Sequence, residues 1–372
     1  MSKKLSVEGV LEIIPKGFGF LRSMKSGYAI TSDDIFVGQS VIKKFNLKSG
    51  MYIAGQGNKK GGKKDSYFLD KIDSIDGLAP EEAKNLNPFS SLTVIDPEEK
   101  LQMETGSSPL TTRVVDLFTP IGMGQRALIV SPPRAGKTIF IEDMAKGLKQ
   151  NHPGLKLFVF LIDERPEEVT QFRRQVEGEV VATSFDAPLK DQIRMSELLL
   201  ERVMRLVEAG HDVALIVDSL TRLGRAFNKA SESKGKTLSG GVSANALQFP
   251  RKFFGAARNI EDGGSLTIIA TCLVDTGSRM DEVIFQEFKG TGNTELVLDR
   301  TLANEKVFPA VNLKQSGTRK EEKLQERDDL KRIWTLVRAM ANDRDYEKYK
   351  IMLEKMGSTE SNREFLSQIP VS

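Results

Sequence analysis

The first 75 residues alternate between apolar and polar positions in short runs that glycines interrupt. These runs lie at residues 10–14, 19–21, 34–37, 52–54 and 67–69. Several brief strands at this spacing, with turn residues between them, are typical of a small all-β barrel. We therefore predict an all-β domain over residues 1–76.

Residues 77–112 have a different character, because bulky apolar residues no longer recur with a regular period. The segment contains the four prolines Pro80, Pro88, Pro97 and Pro109. A polar stretch at residues 105–108 adds to its irregularity. This composition predicts a linker that wraps onto the domain that follows.

From residue 126 onward the apolar runs become continuous. They lie at residues 127–130, 157–162, 180–183, 213–217 and 266–271, with helical stretches such as 138–150 and 191–208 between them. Continuous apolar runs are typical of strands buried on both faces, and their alternation with helices predicts a parallel sheet covered on both sides. We predict an α/β domain over residues 113–372 that ends in helices.

The composition is that of a globular protein and excludes several kinds of site. The 372 residues are 39% hydrophobic and 28% charged, enough for two or three domains. The single cysteine, Cys272, excludes an internal disulfide and a multi-thiolate metal site, and only two histidines argue against a His-based metal site or catalytic triad. No signal peptide or long apolar run is present, so we expect a cytoplasmic location.

The charge is unevenly distributed along the chain. Residues 1–75 contain 13 Lys or Arg and seven Asp or Glu, a net charge of +6, whereas the other 297 residues contain 41 basic and 44 acidic ones, a net charge of −3. The basic excess is densest at residues 59–64. A basic module on a near-neutral body suggests an anionic partner, although a solvated loop that aids solubility is an alternative.

A candidate for chemistry follows the first continuous apolar run. Residues 131–138 are Ser-Pro-Pro-Arg-Ala-Gly-Lys-Thr and lead into a predicted helix. In a phosphate-binding loop of this kind, backbone N–H groups hold the phosphates, Lys137 reaches the β- and γ-phosphates, and Thr138 binds Mg²⁺. Ser131 stands where the pattern has glycine. A chance helix start is the alternative, but a strand before and a helix after favour nucleotide binding.

Two carboxylates end other apolar runs. Asp218 follows residues 213–217, where P-loop enzymes have a second Mg²⁺-binding carboxylate, and Glu164 follows the run at 157–162. Either could instead mark the start of a helix. Since the carboxyl ends of parallel strands share one edge of a sheet, both can converge with Thr138. Glu164 could then polarise the water that attacks the γ-phosphate.

Four segments carry a family resemblance. They are Leu-Ile-Asp-Glu-Arg-Pro-Glu-Glu-Val-Thr at 161–170, Gly-Ala-Ala-Arg-Asn at 255–259, Glu-Phe-Lys-Gly-Thr-Gly-Asn at 287–293 and Ser-Gly-Thr-Arg-Lys-Glu-Glu at 316–322. The chain resembles the Rho transcription termination factors, a family of hexameric RNA-dependent ATPases of bacteria. The resemblance implies a RecA-like P-loop ATPase core preceded by a cold-shock-like OB-fold. We expect the N-terminal helical bundle that is usual in the family to be missing, because the OB-like pattern starts by Val7.

The resemblance also implies an ATP site between subunits of a ring. Arg319 matches the arginine finger that reaches the γ-phosphate of the neighbouring subunit, and it joins Lys137, Thr138, Glu164 and Asp218 as the catalytic set. Further ATP contacts are expected from Gly122, Met123, Gly124, Gln125, Arg126, Ala127, Pro133, Arg134, Ala135, Gly136, Ile139, Arg165, Arg222, Lys306 and Phe308. Phe308 could pack on the adenine or belong to the core. The family often has an arginine at the position of Lys306, and a lysine lacks the bidentate fork of an arginine.

The segment Lys-Gly-Phe-Gly-Phe-Leu-Arg at residues 16–22 predicts an RNA-binding face. On a strand, Phe18 and Phe20 would share one face, where exposed rings could stack on bases, although two such residues could also be core. The resemblance implies a primary RNA site of Gly17, Phe18, Gly19, Phe20, Leu21, Arg22, Asp34, Ile35, Phe36, Asp65, Ser66 and Tyr67. A carboxylate such as that of Asp65 can accept a hydrogen bond from cytosine, which fits the family's preference for cytosine.

Two loops of the second domain resemble the family's secondary RNA site, which lines the central pore. They lie at residues 235–241 and 275–279, and the expected contacts are Lys236, Thr276, Gly277 and Arg279. Small residues and a cation in each loop suit a grip on a phosphate backbone. Taken without the resemblance, both could be flexible surface loops.

Together these observations predict an ATP-driven 5′-to-3′ RNA translocase and helicase that captures cytosine-rich nascent RNA and terminates transcription. ATP and Mg²⁺ would be its cofactors, with Thr138 and Asp218 holding the metal. The expected partners are single-stranded RNA, further copies in a homohexamer, RNA polymerase and elongation factors. The alternatives are an RNA-binding protein or chaperone with weak ATPase activity, and a rotary or export-type ATPase subunit.

Overall fold

Five strands near the start of the chain close into a barrel. The computed structural model describes residues 5–60, 66–231, 239–243, 245–340 and 346–370. The barrel domain contains β1 (Leu5–Ile13), β2 (Gly19–Arg22), β3 (Ile35–Val37), α1 (Gln39–Lys44), β4 (Tyr52–Lys60) and β5 (Ser66–Ile75). The strands close in the order β1-β2-β3-β5-β4, and alternate residues such as Leu11, Leu21 and Ile53 fill the interior. The all-β barrel predicted from the alternating pattern is confirmed.

Short elements occupy the segment that joins the barrel to the second domain. They are α2 (Pro80–Lys84), a 3-10 turn (Phe89–Ser91), β6 (Val94–Ile95) and α3 (Leu110–Phe118). The apolar pattern predicted none of them, because most are too short to show a period. β6 pairs with an outlying strand of the main sheet, so the segment lies against the second domain.

A mostly parallel sheet forms the centre of the second domain. Its strands are β7 (Arg126–Ser131), β8 (Lys156–Glu164), β9 (Glu179–Ser184), β10 (Val213–Asp218), β11 (Arg258–Ile260), β12 (Ser265–Leu273), β13 (Thr294–Val297) and β14 (Gly317–Thr318). The main order is β14-β13-β7-β12-β10-β8-β9, and β11 pairs with β12 and β6. The predicted parallel sheet is confirmed, and the structure adds β13 beside β7.

Helices cover both faces of this sheet. They are α4 (Lys137–Asn151), α5 (Pro166–Gln175), α6 (Leu189–Glu208), α7 (Leu220–Ser231), α8 (Gln248–Gly255), α9 (Arg279–Phe288), α10 (Arg300–Asn304), α11 (Arg327–Ala339), α12 (Tyr346–Gly357) and α13 (Asn362–Ser367). Strand β8 shows why its run is continuously apolar, because Val159 and Leu161 enter one core while Phe160 enters the opposite one. Among the helices of the described ranges, none has the length and hydrophobicity to span a bilayer.

The barrel docks onto helix α6. Gly50 has a φ of +89° and lies so close to α6 that a Cβ there would be 2.4 Å from the carbonyl carbon of Glu201. Arg202 of α6 forms an ion pair with Asp76 and donates a hydrogen bond of 3.2 Å to the carbonyl oxygen of Gly50. Tyr28 of the barrel is fully buried in the core of the second domain. The two domains therefore share a packed and ion-paired interface.

Candidate nucleotide and RNA sites

The loop at residues 131–136 joins the carboxyl end of β7 to α4. Gly136 has a φ of +86°, and a Cβ there would lie 3.2 Å from the ring of Phe308, so both the backbone and the available space favour glycine. Ser131 is not among the residues with positive φ, and its buried hydroxyl donates to the carbonyl oxygen of Pro132 at 3.0 Å. The loop therefore has no conformational need for glycine at its first position.

Lys137, at the start of α4, faces the carboxylate that ends β10. Its Nζ forms an ion pair with Asp218, which is 1% exposed and also accepts a hydrogen bond of 2.8 Å from the Thr271 hydroxyl. Carboxylate and hydroxyl oxygens together with phosphates are the ligands that Mg²⁺ prefers, so Asp218 and Thr138 fit the metal that accompanies ATP. Within the described residues, no group of three or more His, Cys, Asp or Glu could hold a metal.

The predicted base, Glu164, lies at the same edge of the sheet. It is 3% exposed, and Nη1 of Arg222 in α7 donates to its Oε2 at 2.5 Å and to the carbonyl oxygen of Asp163 at 2.7 Å. Burial raises the pKa of Glu164, Arg222 opposes the rise, and the nearby Asp218 adds to it. A carboxyl group with a raised pKa is poised to accept a proton, which suits the predicted role.

The other residues expected to contact ATP near the P-loop differ in their exposure. Ile139 and Phe308 are 63% and 49% exposed, and Phe308 lies against the P-loop rather than in the core, so its ring is placed for packing on a base. Arg134 and Arg165 are exposed, Pro133 is half-buried and Ala135 is buried. Lys306 has a φ of 62° and lies two residues before Phe308 in the chain.

Arg319 lies at the opposite edge of the sheet. It follows β14, whose Thr318 pairs with Thr294 at the amino end of β13, and its Nη2 donates to the carbonyl oxygen of Gly290 at 3.0 Å. The parallel strand β7 is six residues long, so this edge is roughly 20 Å from the P-loop at about 3.3 Å a residue. Arg319 therefore cannot reach a phosphate on the P-loop of its own chain.

Residues 122–127 belong to that opposite edge as well. They precede or begin β7, and the Oε1 of Gln125 accepts a hydrogen bond of 2.7 Å from the N–H of Gly122. Arg126 donates to the carbonyl oxygens of Thr291 and Ala257, and burial and the neighbouring Arg319 both lower its pKa. Gly122, Met123, Gly124, Gln125, Arg126 and Ala127 therefore lie too far from the P-loop of their own chain to contact its nucleotide, and their predicted ATP contacts would be made to a nucleotide between subunits.

Three phenylalanines form an aromatic platform on the outside of the barrel. The ring centroids of Phe18, Phe20 and Phe36 are 5.3 to 5.9 Å apart, and all three side chains are half-buried. Phe20 and Phe36 are direct partners across β2 and β3, so the pleat directs both to the same side. A platform of this kind can stack on unpaired bases. Gly17 and Gly19 flank Phe18.

Four of the residues expected in the primary RNA site have other contacts. Leu21 and Ile35 point into the barrel and are 2% and 8% exposed, so their side chains cannot contact RNA. Arg22 is buried between Glu12 and Asp34 and forms an ion pair with each. Any RNA contact of Leu21 or Ile35 would therefore be made by the backbone, and contacts of the Arg22 and Asp34 side chains would require breaking a buried ion pair.

Strand β5 carries two adjacent aromatic residues that face opposite sides of the barrel wall. Tyr67 is half-buried and packs against the barrel core, whereas Phe68 pairs with Phe36 in the strand register and so shares the side of the aromatic platform. The RNA contact of Tyr67 stays a prediction, and the strand register adds Phe68 as a second candidate on the platform side. Asp65 and the side chain of Ser66 lie outside the described residues.

The loop at 275–279 follows the carboxyl end of β12, on the P-loop edge. The hydroxyl of Thr276 donates to Oδ2 of the buried Asp281 at 2.6 Å, and Nε of Arg225 donates to Oδ1 of the same carboxylate at 2.7 Å. Gly277 has a positive φ, and Arg279 is exposed at the start of α9. The other loop also approaches α9, since a Cβ at Gly240 would lie 3.3 Å from the carbonyl oxygen of Arg279. Lys236 lies outside the described residues.

Sequence reasoning missed several residues of these sites. Arg225 could have been noticed, because it lies three positions after Arg222 in the helix that follows Asp218, and residues at this spacing share a helix face. The remaining residues that it missed are Glu12, Phe68, Arg194, Thr271 and Asp281. Their contacts depend on strand register and on pairs that are distant in sequence, for which no local signal exists.

Two family models match the chain. "ATP synthase alpha/beta family, nucleotide-binding domain" matches residues 111–318, and "Rho termination factor, RNA-binding domain" matches residues 7–81. The first therefore covers the P-loop and both edges of the sheet, and the second covers the barrel with the aromatic platform.

The chain is also similar to curated bacterial proteins named "Transcription termination factor Rho". It is 50% identical over 373 residues to the one from Pseudomonas aeruginosa, covering 99% of this chain and 88% of that protein. It is 48% identical to those from Chromobacterium violaceum and Streptomyces lividans, covering 97% and 98% of this chain and 87% and 52% of those proteins.

One solved structure shares the fold at low sequence identity. It comes from work titled "Structural and biochemical analysis of a prototypical ATPase from the type III secretion system of pathogenic bacteria". The TM-score is 0.64 at 19% identity, over 84% of this chain and 93% of that one. At this identity the likeness concerns the fold alone.

Proposed function

This chain belongs to the Rho transcription termination factor family, and we propose that it is an RNA-dependent ATPase that terminates transcription by moving 5′-to-3′ along cytosine-rich RNA. One observation carries the proposal: a single chain combines an aromatic platform on a barrel with Lys137, Glu164 and Asp218 at one edge of a parallel sheet. The first feature suits unpaired bases and the second suits ATP hydrolysis.

Each residue of the catalytic edge has a role that fits its surroundings. Lys137 would hold the β- and γ-phosphates, and the buried Glu164 carboxylate group, with its raised pKa, would orient the attacking water and accept its proton. Mg²⁺ bound by Thr138 and Asp218 would neutralise charge that develops on the phosphate oxygens. Phe308 and Ile139 would pack against the base.

The position of Arg319 supports a ring of subunits. Because it lies roughly 20 Å from its own P-loop, it can act as an arginine finger only on a nucleotide of a neighbouring chain. Arg126 lies at the same edge and would face the same neighbour. A homohexameric ring, as the family resemblance implies, would place such an edge beside the P-loop of a neighbouring subunit.

The contacts around Asp281 supply a route from RNA to the catalytic base. A phosphate gripped by Thr276 or Arg279 would act on Asp281, which is bound to Arg225 of α7. Arg222 lies one turn earlier on α7 and is bound to Glu164. We propose that RNA in the pore frees or orients Glu164 through this helix, so that hydrolysis depends on RNA. RNA polymerase and elongation factors would be the partners of termination.

ATPase activity with and without poly(C) tests the proposal. We expect poly(C)-dependent hydrolysis and ATP-dependent unwinding of duplexes that carry a 5′ single-stranded tail. Glu164→Gln should retain binding of a fluorescent ATP analogue and lose turnover by about 10²- to 10⁴-fold, while the exposed Glu167→Gln serves as the control in the same motif.

Other outcomes of these assays would contradict particular parts of the proposed function. Normal turnover in Glu164→Gln would contradict the catalytic assignment. Turnover that ignores RNA would favour a rotary or export-type ATPase subunit, and RNA binding without turnover would favour an RNA-binding protein or chaperone. Unwinding from a 3′ tail only would contradict the direction of movement.

A further inference from the structure

Glu12 stands where the aromatic platform meets the second domain. It lies opposite Phe20 across β1 and β2, and the same outward side of β1 carries Val10, which is buried against the second domain. Its Oε2 accepts two hydrogen bonds, one of 2.5 Å from Nε of Arg22 and one of 3.0 Å from Nη1 of Arg194. One carboxylate oxygen is thus shared by an arginine of the barrel and an arginine of helix α6.

The two arginines connect different parts of the molecule. Arg22 is also bound by Asp34, and its guanidinium carbon lies 5.0 Å from the centroid of the Phe20 ring, within the aromatic platform. Arg194 donates through Nη2 to the carbonyl oxygen of Tyr28 at 2.9 Å, so it holds two segments of the barrel at once. The guanidinium of Arg194 therefore fixes the side of the barrel that carries the platform.

The ion pairs of Glu12 with Arg22 and Arg194 are largely buried. The side chains of Arg22, Glu12 and Arg194 are 5%, 13% and 18% exposed, and Nε of Arg194 is buried with no partner among the described atoms. Salt and water screen such pairs much less than they screen surface pairs. Helix α6 begins just after β9, whose Ser184 pairs with Glu164 of the catalytic edge. Arg194 is thus on a helix that leads to that edge.

We propose that Arg194 of the ATPase domain is a positioning residue for the RNA platform, and that Glu12 is the shared counter-ion that links the two. The inference rests on the proposed RNA-dependent function. A phosphate of RNA bound at the platform attracts Arg22 and weakens the ion pair between Arg22 and Glu12. The Glu12 carboxylate then pairs more strongly with Arg194. By linkage, Arg194 favours the RNA-bound arrangement to the same degree.

The test measures binding of a fluorescein-labelled oligocytidine by anisotropy, together with poly(C)-stimulated ATPase activity. Arg194→Gln should raise the Kd of the oligocytidine about tenfold, since it removes two charge-assisted hydrogen bonds. The poly(C) concentration for half-maximal ATPase activity should rise by the same factor, with kcat at saturating poly(C) unchanged. Arg194→Lys, which keeps the charge but not the fork, should recover part of the binding.

Two controls separate this role from a general loss of charge or structure. Lys190→Gln removes the same charge from an exposed position of α6 and should bind as the wild type does. In a double-mutant cycle, the loss of binding in Glu12→Gln with Arg194→Gln should be smaller than the sum of the two single losses, because the two residues share one contact.

Three results would overturn the inference: wild-type Kd in Arg194→Gln, equal losses in Arg194→Gln and Lys190→Gln, or additive losses in the cycle. Should Arg194→Gln fail to fold, wild-type Kd in Arg194→Lys and Glu12→Gln would overturn it equally. If the wild type binds oligocytidine but shows no RNA-dependent ATPase activity, the proposed function fails while the binding data still decide the role of Arg194. If the wild type does not bind, both fail.

Discussion

Replacing Glu179 by glutamine should change how the stability of this protein depends on pH. Glu179 begins β9 at the interface between the domains, where its Oε1 accepts a hydrogen bond from the hydroxyl of the fully buried Tyr28. Burial raises the pKa of this carboxyl group from 4.5 to about 7, and Arg202 opposes the rise. Glutamine has nearly the same shape and can accept the same hydrogen bond but cannot titrate.

The sign and the magnitude follow from these two pKa values. Below pH 4.5 the carboxyl group is protonated in both the folded and the unfolded chain. Between pH 4.5 and about 7 only the folded chain binds the proton, so the free energy of unfolding falls as the pH rises, and above pH 7 it is level. At 1.36 kcal/mol for each pKa unit, the loss over this range is about 3 kcal/mol.

Denaturant unfolding of the wild type and Glu179→Gln at pH 5, 6, 7 and 8 measures the effect. Trp334, the only tryptophan, reports on the ATPase domain by fluorescence, and circular dichroism reports on both domains. The free energy of unfolding of Glu179→Gln relative to the wild type should rise by about 2.5 kcal/mol from pH 5 to pH 8, because the range starts above the unfolded pKa. Glu177→Gln is an exposed control two residues away. Parallel pH curves for the wild type and Glu179→Gln would refute the reasoning.

Three further predictions concern the sites. Arg222→Gln removes the cation that lowers the pKa of Glu164, so the acidic limb of the kcat–pH profile should move to higher pH; an unmoved limb would contradict this. Arg319→Ala subunits, mixed with the wild type, should lower ATPase activity more than their fraction, whereas a linear decline would argue against a role between subunits. Phe20→Ala should weaken oligocytidine binding by about 1–3 kcal/mol in a titration, and unchanged affinity would remove it from the platform.

Local pattern was sufficient to predict the parallel sheet and the convergence of Lys137, Glu164 and Asp218 at one of its edges. A strand that is buried on both faces, such as β8, must be continuously apolar, and the polar residue that ends the run is then recognisable as Glu164. Asp218 ends β10 in the same way. In a parallel sheet such residues must lie at one edge, so their convergence with Lys137 follows from the pattern without knowledge of any contact.

The local pattern was not sufficient to predict which side chains of the barrel point inward and which point outward. A shift of one residue along a strand turns a side chain from the outside to the core, so the choice between Tyr67 and Phe68 depends on the pairing of β5 with β3. The same pleat sends Leu21 inward while Phe20 and Arg22 face outward. The contact between Glu12 and Arg194 joins residues 182 positions apart, for which the sequence has no signal.

The separation between the two edges of the sheet bears on whether a single chain can form the whole proposed ATPase site. The P-loop, Glu164 and Asp218 occupy the carboxyl edge, whereas Arg319 and Arg126 occupy the amino edge roughly 20 Å away. This distance is set by the length of a buried strand, and no loop movement can remove it without breaking the sheet. Under the proposed function, a catalytic site completed by Arg319 would need the amino edge of a second chain, and hydrolysis would then be linked to assembly.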